Sequence, residues 1–292
     1  MNQRAQHGNR VSTVLGRKLG NELLRLRDAA GRTQQQAAEA LSATATKVVK
    51  MERGWVPIRD PDIRALCDFY GLHDPAAVTS LLNLAKLDRE RRKAKGWWQQ
   101  LPKAGALSEY IAMEDVASQV RTWQLAFVPG LFQTAAYARA LAVGEGAWDD
   151  PDEVERAVNA RLQRQRRLHE EVPLHVYAVV WEAALRQVVG GRRVMRAQLD
   201  RLREVAELAT VRLQVLPFQA GAHACAASSF TIISFTEDEA ADVVHTDTIG
   251  STVWAENEED SSKYRTFFDR TARQALAQSD SLSLIDGIRK EF

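Results

Sequence analysis

The chain has 292 residues, 45% of them hydrophobic and 26% charged, which is ordinary for a globular protein and long enough for two domains. No stretch approaches the roughly 18 apolar residues of a membrane-spanning helix, so the sequence excludes an integral membrane protein of the helical class. The net charge of +1 conceals an asymmetry: residues 1–95 contain 18 Lys and Arg against 10 Asp and Glu (+8), and the rest contains 21 against 28 (−7), which favours a DNA-binding head followed by a domain with a different task.

The N-terminus and the cysteines bear on location. The first thirteen residues lack the apolar centre of a signal peptide, and we expect a short disordered arm over residues 1–13. Cys67 and Cys225 lie far apart, and neither has neighbouring ligands at metal spacing. The sequence therefore predicts no disulfide framework, no metal and no cofactor, and it favours a reducing cytoplasm.

A helical domain, the head, is predicted over residues 14–87. Its first helix runs from Leu15 to Ala30 and carries an apolar stripe of leucines at 15, 19, 23 and 26. Two later helices begin at Asp-Pro pairs, at residues 60–61 and 74–75, where proline suits the first helical turn.

The stretch between the first and fourth helices predicts two short helices joined by a tight turn. One runs from Gln34 to Leu41 and begins with a capping box formed by Thr33 and Gln36. The other runs from Ala45 to Arg53 after Thr44 as its N-cap. Because so few residues separate the two helices, they must cross steeply, which is the geometry of a helix-turn-helix. In that motif the second helix enters the major groove of DNA.

The predicted DNA surface is the outer face of this second helix together with its cap. We expect Thr46, Lys47 and Val49 to reach base edges. Backbone contacts are expected from Gln34 and Lys50. The complete predicted set is Gln34, Thr44, Ala45, Thr46, Lys47, Val49 and Lys50. The alternative is an amphipathic helical hairpin with a solvated basic face.

The remainder of the chain mixes two kinds of element. Residues 88–96 form a charge run, which we interpret as a linker or an extension of the fifth helix with a solvated end. Residues 97–292 combine helical periodicity with four to six short strands, which predicts an α+β domain. Its last predicted element is a helix from Lys263 to Ala277, with Phe267 and Phe268 inside.

The second domain has no recognisable catalytic signature. No nucleophile elbow, phosphate loop or dinucleotide fingerprint is present. His169 and His175 are separated by Pro173, which breaks a helix, so they do not share a helical face. We therefore expect a domain that is not an enzyme.

Two turns of the second domain are candidate binding surfaces, at residues 128–134 and 217–223. Binding of a small molecule predicts a closed apolar pocket there, and binding of a protein predicts an open apolar patch. The third possibility is that both are simply tight structural turns. With the tryptophan pair expected near the domain junction, the candidate residues are Trp97, Trp98, Pro129, Gly130, Gln133, Phe218 and His223.

From Leu15 to Gly71 the chain resembles a Cro/C1-type (XRE) helix-turn-helix domain. The matching positions are Leu19, Leu23, Leu26-Arg27, Gly31, Thr33-Gln34, Ala38-Glu39, Leu41 and Glu52-Arg53-Gly54. The resemblance implies an all-α, five-helix, lambda-repressor-like head that binds double-stranded DNA as a homodimer, since one small head buries too little surface for tight specific binding. One departure is Ser42, where the family usually has glycine.

From Gly96 to Ala277 the chain resembles the C-terminal domain of WhiJ-like regulators of actinobacteria. The matching stretches are Trp97-Trp98, Arg121-Thr122-Trp123, residues 128–138, Glu182-Ala183-Ala184-Leu185, Gly190-Gly191, Met195-x-x-Gln198-Leu199 and residues 215–223. The resemblance implies a transcriptional regulator that is often encoded beside a small, acidic partner protein in an antitoxin-like arrangement. A strand near residue 243 usually carries tyrosine and glutamate in that group, whereas here it reads Val244-His245-Thr246-Asp247.

Overall fold

A computed structural model describes residues 13–93, 105–146, 150–235, 242–248, 252–255 and 258–292. The described residues form two compact units, the head over 13–93 and a C-terminal unit from residue 105 onward. Trp97 and Trp98, most of the predicted arm and residues 94–96 lie outside the described residues. The predicted architecture, a five-helix head and a larger α+β domain, is confirmed.

The head consists of five helices around one small core. They are α1 (Val14–Ala29), α2 (Gln34–Ala40), α3 (Ala45–Glu52), α4 (Asp60–Tyr70) and α5 (Pro75–Lys93). The capping box of Thr33 and Gln36 is formed as predicted, and Thr44 caps α3 by accepting from the backbone N–H of Lys47. The core includes Val14, Leu15, Leu19, Leu23, Ala37, Ala38, Val48, Met51, Ile63 and Leu66.

Two glycines bring α1 and the end of α3 into backbone contact. A Cβ atom at Gly20 would lie 2.3 Å from the carbonyl oxygen of Glu52. Gly54 has φ +65°, and a Cβ atom there would lie 2.4 Å from the backbone of Gly16. Only glycine permits this approach, so these positions set the distance between α3 and the rest of the head.

The charge run after Leu87 is part of the head's packed structure. Helix α5 continues to Lys93, which matches the predicted helix extension for residues 88–93. Asp88 is buried, accepts a hydrogen bond from the Thr13 hydroxyl and pairs with Arg92 at 2.8 Å. Arg92 Nη2 donates to the Gly54 carbonyl at 2.6 Å. The prediction of a solvated helix end is therefore wrong at Asp88, and Thr13, assigned to the arm, is the buried N-cap of α1.

The C-terminal unit contains six strands and seven α-helices within its described residues. The strands are β1 (Gln119–Gln124), β2 (His175–Trp181), β3 (Val211–Leu216), β4 (Phe230–Ser234), β5 (Val243–Asp247) and β6 (Thr252–Ala255). The helices are α6 (Gly105–Asp115), α7 (Ala135–Gly144), α8 (Pro151–Arg164), α9 (Glu182–Arg186), α10 (Arg192–Ala206), α11 (Glu258–Gln274) and α12 (Gln278–Glu291).

The strands form one mixed sheet in the order β3-β2-β1-β4-β5-β6. Strands β1, β2 and β3 are parallel, with Val120 beside Val176 and Val180 beside Val215. Helices connect these parallel strands, as parallel pairing requires. Strands β4, β5 and β6 add antiparallel pairs beyond β1. The carboxyl ends of β1, β2 and β3 therefore lie along one edge of the sheet, together with the start of β4.

The end of the chain differs from the sequence expectation. The predicted terminal helix begins earlier, at Glu258, and a further helix, α12, follows it. Phe268 is buried as expected, and its ring meets that of Tyr177 edge to face at 4.9 Å. Phe267 is 41% exposed, so its placement inside the core is corrected. No described helix combines the length and apolarity needed to span a lipid bilayer.

Candidate nucleic-acid interface

Helices α2 and α3 are joined by a tight turn at residues 41–44. Ser42 occupies the left-handed region with φ 49°, the only non-glycine residue with positive φ in the described chain. The backbone N–H of Ala43 donates to the carbonyl of Ala38 at 2.8 Å, which closes the end of α2. Left-handed backbone at this position turns the chain sharply enough for α3 to begin three residues later, at Ala45, and a helix-turn-helix results.

The inner face of α3 is fixed by apolar packing and by one buried carboxylate. Val48 and Met51 are almost wholly buried. Glu52 accepts from Arg27 Nε at 2.6 Å and from Gln34 Nε2 at 2.7 Å, so it ties α3 to both α1 and α2. The hydrogen bond that Arg27 donates to Glu52 raises the pKa of the Arg27 guanidinium against the opposing effect of burial. Glu52 therefore forms an internal ion pair with Arg27, and Gln34, predicted at the DNA backbone, is held by the same carboxylate.

The outer face of α3 carries the predicted DNA residues. Thr44, Thr46 and Lys50 are exposed, and Ala45, Lys47 and Val49 are half-buried. Within residues 13–93 and the other described parts of the chain, the Lys50 ammonium has no hydrogen-bond or ion-pair partner. A cation and a short hydroxyl side chain on one exposed helix face are groups that bind phosphate oxygens and base edges.

Lys47 is engaged by α4. Its ammonium pairs with Asp62 Oδ2 at 3.0 Å, and Arg59 Nη2 lies 3.3 Å from Asp62 Oδ1. Burial acts to raise the pKa of Asp62, but hydrogen bonds from Arg59 and Lys47 outweigh it and hold that pKa below the usual value. A base contact from Lys47 would therefore compete with the Asp62 carboxylate.

A concavity runs beside α3 on the α1 side. Its lining combines apolar, amide and charged groups: Arg17, Asn21, Leu24, Gln34, Val49, Glu52, Arg53 and Trp55. Exposed Arg53 has its guanidinium 4.9 Å from the centre of the Trp55 ring, in a cation–π arrangement. The predicted residues Gln34 and Val49 meet here, so the candidate surface continues past α3 toward α1.

Sequence reasoning missed two residues that position this surface. Gly20 lets the backbone at the end of α3 approach α1, and Asp62 holds Lys47. Gly20 had a readable signal, since a glycine inside an amphipathic helix usually has a packing reason. The sequence contains no comparable signal for Asp62, because its partner Lys47 lies fifteen residues away on another helix.

The predicted surface at residues 128–134 is a packed turn. Pro129 and Gln133 are buried, and Gln133 Nε2 donates to the Val128 carbonyl at 2.8 Å. Gly130 faces the guanidinium of Arg164, which would lie 3.3 Å from a Cβ atom there. Burial therefore corrects the prediction of an open surface at Pro129 and Gln133 and favours the structural turn there, whereas Gly130 is half-buried.

The second predicted surface does reach solvent. Phe218 is 46% exposed, with its ring edge to face with that of Trp181 at 5.7 Å. His223 is half-buried, 5.1 Å from the Trp123 ring and 6.1 Å from the Trp181 ring. Both residues follow the carboxyl ends of the parallel strands.

No set of three His, Cys, Asp or Glu residues that could hold a metal ion occurs among the described residues. Both cysteines are free and buried. Burial raises the pKa of each thiol, which keeps it protonated near neutral pH.

Comparison with known families gives two matches. Residues 107–287 match the family model described as Domain of unknown function (DUF5753). Residues 18–81 match a Helix-turn-helix domain, and the match covers most of α1, all of α2 to α4 and the start of α5. No curated protein and no solved structure matches the chain. The helix-turn-helix match suggests a DNA-binding regulator.

Proposed function

The chain belongs to the family of the Domain of unknown function (DUF5753), and from this premise we propose that it is a sequence-specific transcriptional regulator that binds its operator as a homodimer. The observation that carries the proposal is the exposed outer face of α3 in a matched helix-turn-helix, with Lys50 unpartnered among the described residues. An operator-binding protein works where the chromosome is, so we propose the cytoplasm as its compartment.

In this proposal α3 lies in the major groove. Thr46 and Val49 approach base edges, with Ala45 placed for a methyl contact to thymine. Lys50 and the N-terminal part of α3 bind phosphate. Lys47 reads a base after leaving Asp62, or it stays with Asp62 and contributes only positive charge.

Dimerisation follows from the size of the head. Five short helices offer too little surface for tight specific binding by one copy, and helix-turn-helix proteins commonly solve this by reading two half-sites. We therefore propose two heads on a site with two-fold symmetry.

We propose that the C-terminal unit binds a small acidic partner protein, in the antitoxin-like arrangement of WhiJ-like regulators, and that it is not catalytic. Phe218 and Phe267 both present exposed aromatic rings: Phe218 packs on Trp181, which also contacts His223, and Phe267 lines one concavity with His223. Exposed aromatic side chains are typical of protein-binding surfaces. The alternative is a small-molecule effector in the concavity beside His223, which is open and carries two arginines and so differs from the closed apolar pocket expected for such a ligand.

The test replaces single lysines in the full-length protein. We expect Lys47→Ala to weaken binding to the selected operator by about 1–3 kcal/mol and to relax preference at one base pair, if Lys47 reads a base. Lys50→Ala should weaken binding to all sequences alike and reduce its salt dependence. Lys290→Ala, an exposed lysine on α12, is the control. Unchanged sequence preference in Lys47→Ala would reassign Lys47 to a supporting role, and unchanged binding in both α3 variants would contradict the proposed interface.

A further inference from the structure

A second concavity lies on the C-terminal unit, with a volume of about 500 Å³. One wall is the turn after β3, with His223 between Ala222 and Ala224. The other wall is the last turns of α11, with Phe267, Arg270, Arg273 and Gln274. We call it the Arg270 concavity. Its volume lies within the range of small-molecule sites, roughly 300–1,000 Å³.

Hydrogen bonds to buried residues fix both walls of the Arg270 concavity. Trp123 Nε1 donates to the Cys225 carbonyl at 2.8 Å, which pins the turn to β1. The Thr271 hydroxyl contacts Cys225 Sγ at 3.1 Å, which ties α11 to the same turn. Gly221, with φ +67°, starts the turn in a conformation that suits glycine. A ligand would therefore meet two walls that are already joined to each other.

The concavity presents two guanidinium groups for which the described residues provide no counter-ion. Arg270 and Arg273 are three residues apart on α11 and are exposed. In the described part of the chain, neither has an ion-pair or hydrogen-bond partner. A shortage of carboxylates does not explain this, because the chain from residue 96 onward contains 28 Asp and Glu against 21 Lys and Arg. Most arginines of this unit do find one, as Arg164 does with Glu114 and Arg289 with Asp200.

His223 adds a third polar group to the same wall. Its Nδ1 atom is buried and has no hydrogen-bond partner among the described residues. Burial lowers the pKa of His223, so near neutral pH the imidazole is uncharged and carries one donor and one acceptor nitrogen.

The position in the fold agrees with a ligand site. His223 contacts Trp123 and Trp181, which stand at the carboxyl ends of the parallel strands β1 and β2. Ligands of open sheets with parallel strands bind outside the carboxyl ends, where the connections diverge. Here β1 is parallel to β2 on one side and antiparallel to β4 on the other.

We propose that the Arg270 concavity binds a small phosphomonoester that carries an aromatic or apolar group. Two guanidinium groups fit a phosphate dianion, since each offers paired N–H donors. The amide of Gln274 provides a further donor. The ring of Phe267, 41% exposed at the rim, provides a surface for the apolar group. The inference rests on the effector alternative for the C-terminal unit and is independent of DNA binding by the head.

An adjoining concavity shares Arg273 and limits where the phosphate sits. It is lined by Tyr177, Arg212, Asp269 and Ala272, among others. There the Arg212 guanidinium lies 4.4 Å from the centre of the Tyr177 ring, and the Asp269 carboxylate would repel an anion. The side toward His223 and Arg270 has no carboxylate in its described lining, so the phosphate is placed there.

The experiment is calorimetric titration of the full-length protein, without DNA, with phenyl phosphate, inorganic phosphate, benzoate and phenol. We expect phenyl phosphate to bind more tightly than inorganic phosphate, and benzoate and phenol to bind weakly or not at all. The double variant Arg270→Ala/Arg273→Ala should lose about tenfold or more in affinity, because charge-assisted hydrogen bonds are removed.

The matched control is Arg193→Ala/Arg196→Ala, a second exposed pair three residues apart, on α10 and outside the Arg270 concavity. It should bind phenyl phosphate like the wild type.

Equal losses of affinity in both double variants, or no binding of phenyl phosphate at millimolar concentration, would overturn the proposal. Benzoate binding as tightly as phenyl phosphate would replace phosphate with carboxylate. Unchanged thermal unfolding of the variants, together with a loss of DNA affinity, would assign the arginines to nucleic acid. None of the calorimetric outcomes, which are measured without DNA, bears on whether the head binds an operator.

Discussion

At the scale of single residues, backbone conformation decides how the recognition helix is held. A Cβ atom at Gly20 would stand 2.3 Å from the Glu52 carbonyl oxygen, closer than any real contact. Ser42 holds φ 49° at a position where a side chain is strained. The two positions differ: the packing around residue 20 requires glycine, whereas residue 42 carries a side chain although its backbone conformation favours glycine.

Gly20→Ala should therefore destabilise the head, although glycine to alanine stabilises an open helical site. We expect a loss of about 1–3 kcal/mol in unfolding free energy, because α1 and α3 must separate. The measurement is urea unfolding followed by circular dichroism. Gly287→Ala on α12, where nothing lies within 4 Å of the new Cβ atom, should instead gain about 1 kcal/mol. A gain in both variants would show that α1 and α3 are not in backbone contact.

Ser42→Gly should stabilise the head by about 0.5–1 kcal/mol, because relief of the left-handed strain exceeds the added freedom of the unfolded chain. The measurement is the shift in thermal midpoint. Ser42→Ala keeps the Cβ atom and should give no such gain. Equal stabilisation by alanine would mean that the hydroxyl, and not the backbone, is responsible.

Residue roles were predictable where the partner is close in sequence. The capping box of Thr33 and Gln36 and the cap at Thr44 depend on spacings of three residues, which a sequence displays directly. The prediction of an open surface at Pro129 was wrong because a proline-glycine pair indicates a turn in the sequence whether the turn is exposed or buried. Only the tertiary partners of Gln133 and of its neighbours, such as Gln165 and Gln198, show that this turn is inside.

At the scale of elements, three carboxylates of the head each connect different helices. Glu52 connects α3 to α1 and α2, and Asp62 connects α4 to α3 through Lys47. Asp88 connects the end of α5 to the cap of α1. Apolar periodicity sets which faces meet, and these carboxylates then fix how the faces are aligned.

The Asp62 contact makes the stability of the head depend on pH. The folded-state pKa of Asp62 lies below its usual value of 3.8, so the contact contributes fully above that pH and is lost as pH falls through the folded pKa. Asp62→Asn should cost about 1 kcal/mol at pH 7, and the difference from wild type should shrink below about pH 4. Asp68→Asn, whose carboxylate is 84% exposed, is the control. A difference that persists undiminished at low pH would mean that packing, and not charge, accounts for the loss.

Helices and strands could be predicted from the sequence where their apolar residues recur at a regular spacing. Helices α1 to α3 were predicted within a few residues, and the Asp-Pro pairs marked the starts of α4 and α5. Strand β5 is buried on both faces, and its polar residues His245 and Thr246 conceal that burial in the sequence. Helix α12 was missed because serines and Gly287 lower its helical propensity, and packing of Ile285 and Ile288 is what stabilises it.

At the scale of the whole molecule, charge is divided between the two parts of the chain. Residues 1–95 carry +8 and the remainder −7, so DNA attracts the first part and repels the second. The division was readable from sequence alone, and so was the helix-turn-helix. The Arg270 concavity was not, because Arg270 and His223 are brought together only by the fold.

The most direct measurement is selection of binding sites from a random DNA pool by the full-length protein, beside the double variant Lys47→Ala/Lys50→Ala. The account predicts a short site with two-fold symmetry, its half-sites about ten base pairs apart or a multiple of that, which the double variant fails to enrich. Retention of DNA without sequence preference, equal in wild type and variant and abolished by salt, would contradict a dimeric operator-binding regulator.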